Sequence, residues 1–377
     1  MMRTQLCDRF GIDYPIFVFT PSEKVAAAVT RAGGMGVLGC VRFNHADELE
    51  SVLAWMDDNT DGKPYGVDIV MPATVPTEGT PVDINKLIPQ AHRDFVAKTL
   101  ADLGVPPLPG DGAGSEGVLG WLHSVARSHV DVALGHRISL IANALGSPPA
   151  DVLEQAHAAG VPVAALAGTA THARRHADNG VDIVVAQGYE AGGHTGEIAS
   201  MVLGPEVVDA VGETPVLAAG GIGTGRQVAA ALALGASGVW MGSAFLTAAE
   251  YDLGPRAGAG DSGGRSVIQE ALLAASSSDT VRRRIYSGKP ARLLKSRWTE
   301  AWDAADAPDP LPMPLQNVLV AEAHQRMAQS QDPTAVAMPV GQIVGRMNEI
   351  RPAAEIIAEL VSGFEAASRR LEGFRDS

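Results

Sequence analysis

The segment AQGYEAGGHTG, residues 186–196, gathers residue types that chemistry needs, and it directly follows an apolar run at 181–187. Gly192 and Gly193 remove side chains where a flat ligand could approach. His194 is then the one nearby group whose usual pKa suits proton transfer near neutrality. The plainer reading is a surface loop with an incidental histidine. Most of the other nine histidines fall on predicted helices or polar connections without a glycine frame, which sets His194 apart.

Two more apolar runs end in glycine. One closes on Ala219, Gly220 and Gly221, and the next on Met241, Gly242 and Ser243. Backbone N–H groups at such turns, beside helix N-termini, make an anion site. Either turn alone is explained by left-handed backbone, but two at consecutive strand ends point to a phosphate. That local positive potential matters in a chain with 29 Lys and Arg against 43 Asp and Glu, a net charge of −14. Such a surface repels nucleic acid and anionic lipid, so neither is expected as a partner.

Other chemistries fail on spacing. There is no GxGxxG after the first predicted strand, no GxxxxGK[ST], no HExxH and no GxSxG, so no dinucleotide fold, P-loop, zincin or hydrolase elbow is indicated. Cys7 and Cys40 lack CxxC spacing, which argues against a disulfide framework or a zinc site; no metal is expected, and Cys40 reads as a buried inert thiol. The basic residues Arg282, Arg283, Arg284, Lys289, Arg292, Lys295 and Arg297 read most simply as a solvated helix face that balances the acidic body, with attraction of an anionic substrate as the alternative.

These candidates require a frame that brings strand ends together. Eight apolar runs, at 15–19, 35–39, 65–71, 138–144, 161–167, 181–187, 215–219 and 238–242, alternate with helical stretches. Eight units favour a closed (β/α)8 TIM barrel over an open sheet, with the active site at the C-terminal strand ends. Thr20-Pro21-Ser22-Glu23 reads as a capping box, with proline at the first helical position, and Thr224 caps the helix from Gly225. The barrel is assigned to residues 1–250, with an insertion at about 73–137 whose loop 106–117 reads as part of a lid. Residues 251–377 read as a C-terminal helical accessory domain packed on the barrel, entered through a mobile stretch at 254–264. The 22 uncharged residues from Val228 to Ala249 are broken by glycines and read as a buried helix and strand, not a membrane span. The N-terminus lacks a signal-peptide core, so the expected location is cytoplasmic.

Read together, VDIVVAQGYEAGGHTG (181–196), TPVLAAGGIGTGRQVAAALALGASGVWMGSAFL (214–246) and SGKPARLLKS (287–296) strongly resemble the nitronate monooxygenase family, formerly the 2-nitropropane dioxygenases. RAGGMGVLG (31–39) and MPVGQIVG (338–345) extend the resemblance over most of the chain. It implies a TIM barrel with FMN at the strand ends, its phosphate on the glycines after the seventh and eighth strands, and His194 as the catalytic histidine. By position Asp68 and Gln187 would approach the isoalloxazine ring, with Gly193 packed close. Val18, Phe19 and Thr20 stand where family members commonly carry Ala-Pro-Met against the flavin, and Asp68 where many carry Asn. A carboxylate at Asp68 would repel an anionic nitronate or reduced flavin. The implied reaction is oxidation of alkyl nitronates with O2 to a carbonyl compound and nitrite. The partners are then a small-molecule substrate and O2, and a homodimer stays open. The alternatives are an NAD(P)H-dependent FMN reductase acting on an enoyl-CoA-like or quinone substrate, a non-catalytic flavin- or phosphate-binding barrel, and a flavin-free barrel lyase.

Overall fold

Short β-rich runs that are apolar on both faces can only be satisfied where helices cover one side and a barrel interior fills the other. In the computed structural model the eight runs do this. They are β1 (Ile16–Thr20), β2 (Met35–Gly39), β3 (Tyr65–Asp68), β4 (Ile138–Asn143), β5 (Val163–Ala167), β6 (Ile183–Gln187), β7 (Val216–Ala219) and β8 (Gly238–Met241). All neighbours pair in parallel, and β8 pairs with β1 to close the ring. The structure describes residues 2–71, 84–108, 123–253, 266–330 and 332–374. The expected lid loop, from residue 109 onward, and the stretch 254–264 lie outside the described residues.

Alternation along each strand sorts side chains into two cores. Phe17, Met35, Val37, Leu140, Ile183, Val185, Leu217 and Trp240 fill the barrel interior. Helix Gln5–Phe10 plugs its N-terminal end with Leu6, Cys7 and Phe10, the Phe10 ring meeting Phe17 edge-on at 5.7 Å. The opposite residues, such as Val18, Val67 and Met241, pack outward against helices. Gly36 marks how tightly the two layers meet, since a Cβ there would lie 2.0 Å from the Ala26 carbonyl oxygen in helix Glu23–Arg31. Gly36→Val is expected to lower unfolding free energy by about 3 kcal/mol or more, as overpacking against rigid backbone does. A melting temperature within a degree or two of wild type would show that the layers can part.

One local signal shifted on folding and two others held. The cap of helix Glu23–Arg31 is Ser22, whose Oγ accepts from Val25 N, while Thr20 Oγ1 accepts from Ser22 N at 3.1 Å, so the expected box begins two residues late. Thr224 caps Gly225–Ala233 as read. The uncharged stretch resolves into that helix and β8, and among the described residues no helix is long and apolar enough to cross a membrane.

The C-terminal region is not helical throughout. Thr280–Arg283 and Ala291–Leu294 form an antiparallel hairpin, and Gly193–His194 adds to it as a third strand. The supposed basic helix face is therefore partly a sheet. Long arginine stems mask the period-two alternation that would have revealed it, although Ser287-Gly288-Lys289-Pro290 is a turn, with Gly288 at φ 90°. The final helix, Ala353–Glu372, returns to pack against Gly225–Ala233 and Glu23–Arg31, in the place of the helix that would follow β8. Gly225 and Gly363 permit this approach, for a Cβ on Gly225 would meet Phe364 N at 2.2 Å.

Candidate active site

The β6 end leads into a loop tied down on every side. Gly188 passes so close to Ser200 that a Cβ would lie 2.6 Å from its backbone N. Glu190 accepts from Ser200 N and Oγ, each at 2.9 Å, and Glu190 O accepts from Gln342 N. Arg292, almost fully buried, donates through Nε and Nη2 to Tyr189 O at 3.1 and 2.9 Å and lies over the Tyr189 ring. Arg282 donates to Thr195 O and Oγ1. These two arginines are structural clamps rather than solvated charges, which corrects the helix-face reading for them.

Clamping sets the backbone of the glycine pair. Gly192 lies against Val340 and Gly341, where a Cβ would meet backbone atoms at 2.7 Å, and Gly193 takes φ 73° with no atom closer than 4.0 Å to its Cβ position. One glycine is thus required by packing and the other leaves open space. His194 follows on the short strand, paired in register with Ala291. Its Nε2 lies 2.6 Å from Ser287 Oγ, and Ser287 Oγ also accepts from Lys289 N at 3.4 Å. With that amide donating to it, the hydroxyl proton is free to go to Nε2, which leaves the neutral ring a proton on Nδ1. Burial, and secondarily the Lys289 charge, push the His194 pKa down to about 4, so the ring is neutral at pH 7.

A cavity of about 170 Å³ occupies the mouth beside this loop. Phe19, Gln187, Gly192, Gly193, Ala219, Gly220, Gly221, Met241, Gly242 and Ser243 line it. His194 sits between Gly193 in this wall and Thr195 in the wall of a larger cavity of about 760 Å³; Gln187 borders both. Val18 and Thr20 are not brought to the mouth, because alternation around Phe19 turns them outward. Asp68 also lies outside the lining, buried at the end of β3 between Gly39 and Ala142. Burial pushes its carboxyl pKa up to about 7. Pro21, Ala191, Ile222, Trp240, Leu246, Pro339 and Ile343 complete the wall, and none of them was a site candidate from the sequence. Pro339 and Ile343 lie within the MPVGQIVG motif, which was the available signal.

At the β7 and β8 ends, the N–H groups of Gly220, Gly221, Ile222, Gly242 and Ser243 find no acceptor among the described residues. Gly220 and Gly221 hold φ 104° and 70°, which aims successive amides from a turn that only glycine adopts readily. Ser243 Oγ accepts from Gly341 N at 2.8 Å and keeps its proton for another partner. Unspent donors at two adjacent strand ends fit a bound phosphate group. A sequence model described as nitronate monooxygenase matches residues 3–363.

The chain belongs to the nitronate monooxygenase family.

A relative from Mycobacterium tuberculosis, named only as a monooxygenase, is 48% identical over 99% of both chains. Among solved structures, nitroalkane oxidase from Streptomyces ansochromogenes superposes with a TM-score of 0.77 at 28% identity, covering 97% of this chain and 99% of that one. FabK from Thermotoga maritima gives 0.74 at 26% identity over 99% and 100%. As a nitronate monooxygenase family member the protein is a flavin-dependent oxidoreductase, and its cofactor is FMN. The unspent amides and the open glycine face at Gly193 fit that cofactor.

Proposed function

We propose that this enzyme oxidises alkyl nitronates with O2, releasing a carbonyl compound and nitrite. Each nitronate gains one oxygen atom, so two nitronates and one O2 give two carbonyls and two nitrites. The observation that carries the reading is His194, its Nε2 held 2.6 Å from Ser287 Oγ, on the segment that joins Gly193 in the wall of the smaller cavity to Thr195 in the wall of the larger, the imidazole itself lying outside both linings.

FMN, when bound, supplies the electron transfer. Gly220, Gly221, Ile222, Gly242 and Ser243 would hold its phosphate, and Phe19, Gln187, Ala219, Gly192, Gly193 and Met241 would border the rest of it. His194 then has two uses. For a substrate arriving as a nitronate, its Nδ1–H donates to a nitro oxygen; for a neutral nitroalkane, the ring takes up the proton on carbon. A conjugate-acid pKa near 4 makes the first role the stronger one, because so weak a base gains little from the proton.

Anaerobic mixing of the yellow protein with NADH, NADPH and a series of nitronates tests the reading. Bleaching of the flavin by nitronates and not by the nicotinamides is the expected result. Rapid bleaching by NADH or NADPH alone would assign the enzyme to the reductases acting on enoyl-thioester or quinone substrates.

A further inference from the structure

Helices Ser200–Val211 and Gly225–Ala233 precede and follow β7, and instead of closing over it they leave a cleft of about 530 Å³ on the outside of the barrel. The sequence holds it open. Its facing positions are small, Gly204 on one helix and Ala230 and Ala231 on the other, and a Cβ built on Gly204 would meet no atom within 4 Å. Met201, Leu234 and Ile343 add larger apolar surface, with Met201 67% exposed. The volume falls within the roughly 300–1,000 Å³ of small-molecule sites, and a mostly apolar wall with a few polar groups is their usual character.

Two charged residues stand in that wall. Glu190 spends its carboxylate on Ser200 N and Oγ, each at 2.9 Å. Arg346, at the end of the turn Gln342–Arg346, is exposed and has no carboxylate partner among the described residues. In a chain of net charge −14, this leaves one uncompensated positive charge beside an apolar surface. The inner wall is shared, because Gly220, Gly221 and Ile222 line both this cleft and the flavin cavity. Gln227, also in the cleft, braces their turn: its Nε2 donates to Gly221 O and its Oε1 accepts from Gly223 N and Thr224 Oγ1, each at 3.0 Å.

We propose that the cleft is a second ligand site, for a small amphiphile whose apolar chain lies between the two helices and whose single carboxylate pairs with Arg346, and that its occupation tightens FMN. One guanidinium matches one carboxylate both in charge and in its two parallel donors. A chain packed on Gly220, Gly221 and Ile222 restricts the turn whose amides receive the flavin phosphate, so part of the ordering that FMN would otherwise impose is already made. The coupling is reciprocal, and FMN tightens the amphiphile by the same factor. Such a site operates whichever donor reduces the flavin.

The test uses FMN-loaded protein with octanoate, octan-1-ol and butyrate as probes. In calorimetry octanoate is expected to bind more tightly than either of the others, since the alcohol lacks the charge and butyrate most of the chain. Arg346→Gln should weaken octanoate about tenfold, or about 1.4 kcal/mol, and leave the alcohol unchanged; added salt should do the same, because the cation is exposed. Gly204→Leu fills the cleft from a position with open space, and leucine suits a helix better than glycine, so this variant should keep its melting temperature and flavin absorbance and lose octanoate binding. FMN release on dilution, read as the rise in flavin fluorescence, should slow about threefold at saturating octanoate. No octanoate binding in wild type, or binding unchanged in both variants, overturns the site, and FMN release indifferent to bound octanoate overturns the coupling. A wild-type dimer that Gly204→Leu dissociates would assign the cleft to a second copy of the chain and overturn the small ligand.

Discussion

Changing His194 to asparagine is expected to leave the flavin absorbance intact and to lower kcat/KM for a neutral nitroalkane by about 10³-fold, within the range that general-base removal commonly gives. With the same compound supplied as a preformed nitronate the loss should stay near tenfold, because the amide still offers an N–H where the imidazole Nδ1–H stood. His194→Ala, which offers neither base nor donor, should lose both activities. The difference follows from the ring's state: burial and Lys289 hold it neutral, and Ser287 spends Nε2, so donation from Nδ1 is its ready function. Because that pKa lies near 4, no activity limb from His194 is expected between pH 5 and 8 with a preformed nitronate. Full nitroalkane turnover by the asparagine variant would remove His194 from the reaction. Equal losses on both substrates would mean that His194 acts through an interaction common to both and not as a base.

The barrel was legible because every strand is a local apolar run followed by a local stop. β2 matches its expected bounds residue for residue, and most of the other strands end within a residue or two of them. The glycines at three successive strand ends were legible for the same reason, since a turn demanding left-handed backbone announces itself in one or two residues. The expectation was blurred where the decisive contact joins distant segments. No local pattern says that Gly225 will face Gly363, or that Ala291 will pair with His194 and bring Ser287 to it. Arg292 shows the same limit, for its type suggests solvent and only the folded chain supplies Tyr189 O and Thr280 Oγ1 to bury it. Val18 and Thr20 lie outside the cavity lining because side chains of successive strand residues alternate between the two faces, and Phe19 takes the inward one.

Asp68→Asn is expected to stabilise the FMN-free protein, and by an amount that depends on pH. The folded carboxyl has its pKa raised by burial to about 7, against 3.8 for the ordinary group. Between these values the folded chain holds a proton that the unfolded chain has released, so wild-type stability falls as pH rises from about 4 to 7 and levels off above. The full window is about 4 kcal/mol at 1.4 kcal/mol per pKa unit. An amide has no such window. The variant should therefore gain little below pH 4 and most above pH 7, read as a melting-temperature difference that widens between pH 4.5 and 8. The same ionisation bears on turnover. Near neutrality much of Asp68 is uncharged, so the like-charge repulsion expected from its residue type is relieved below pH 7 and returns above it. Wild-type kcat/KM for a preformed nitronate should accordingly decline on the alkaline side of pH 7, and the asparagine variant should flatten that limb. A melting shift equal at both pH values would mean that Asp68 is ionised in the folded chain throughout, and the carboxylate would then have to be placed in contact with solvent or a hidden donor.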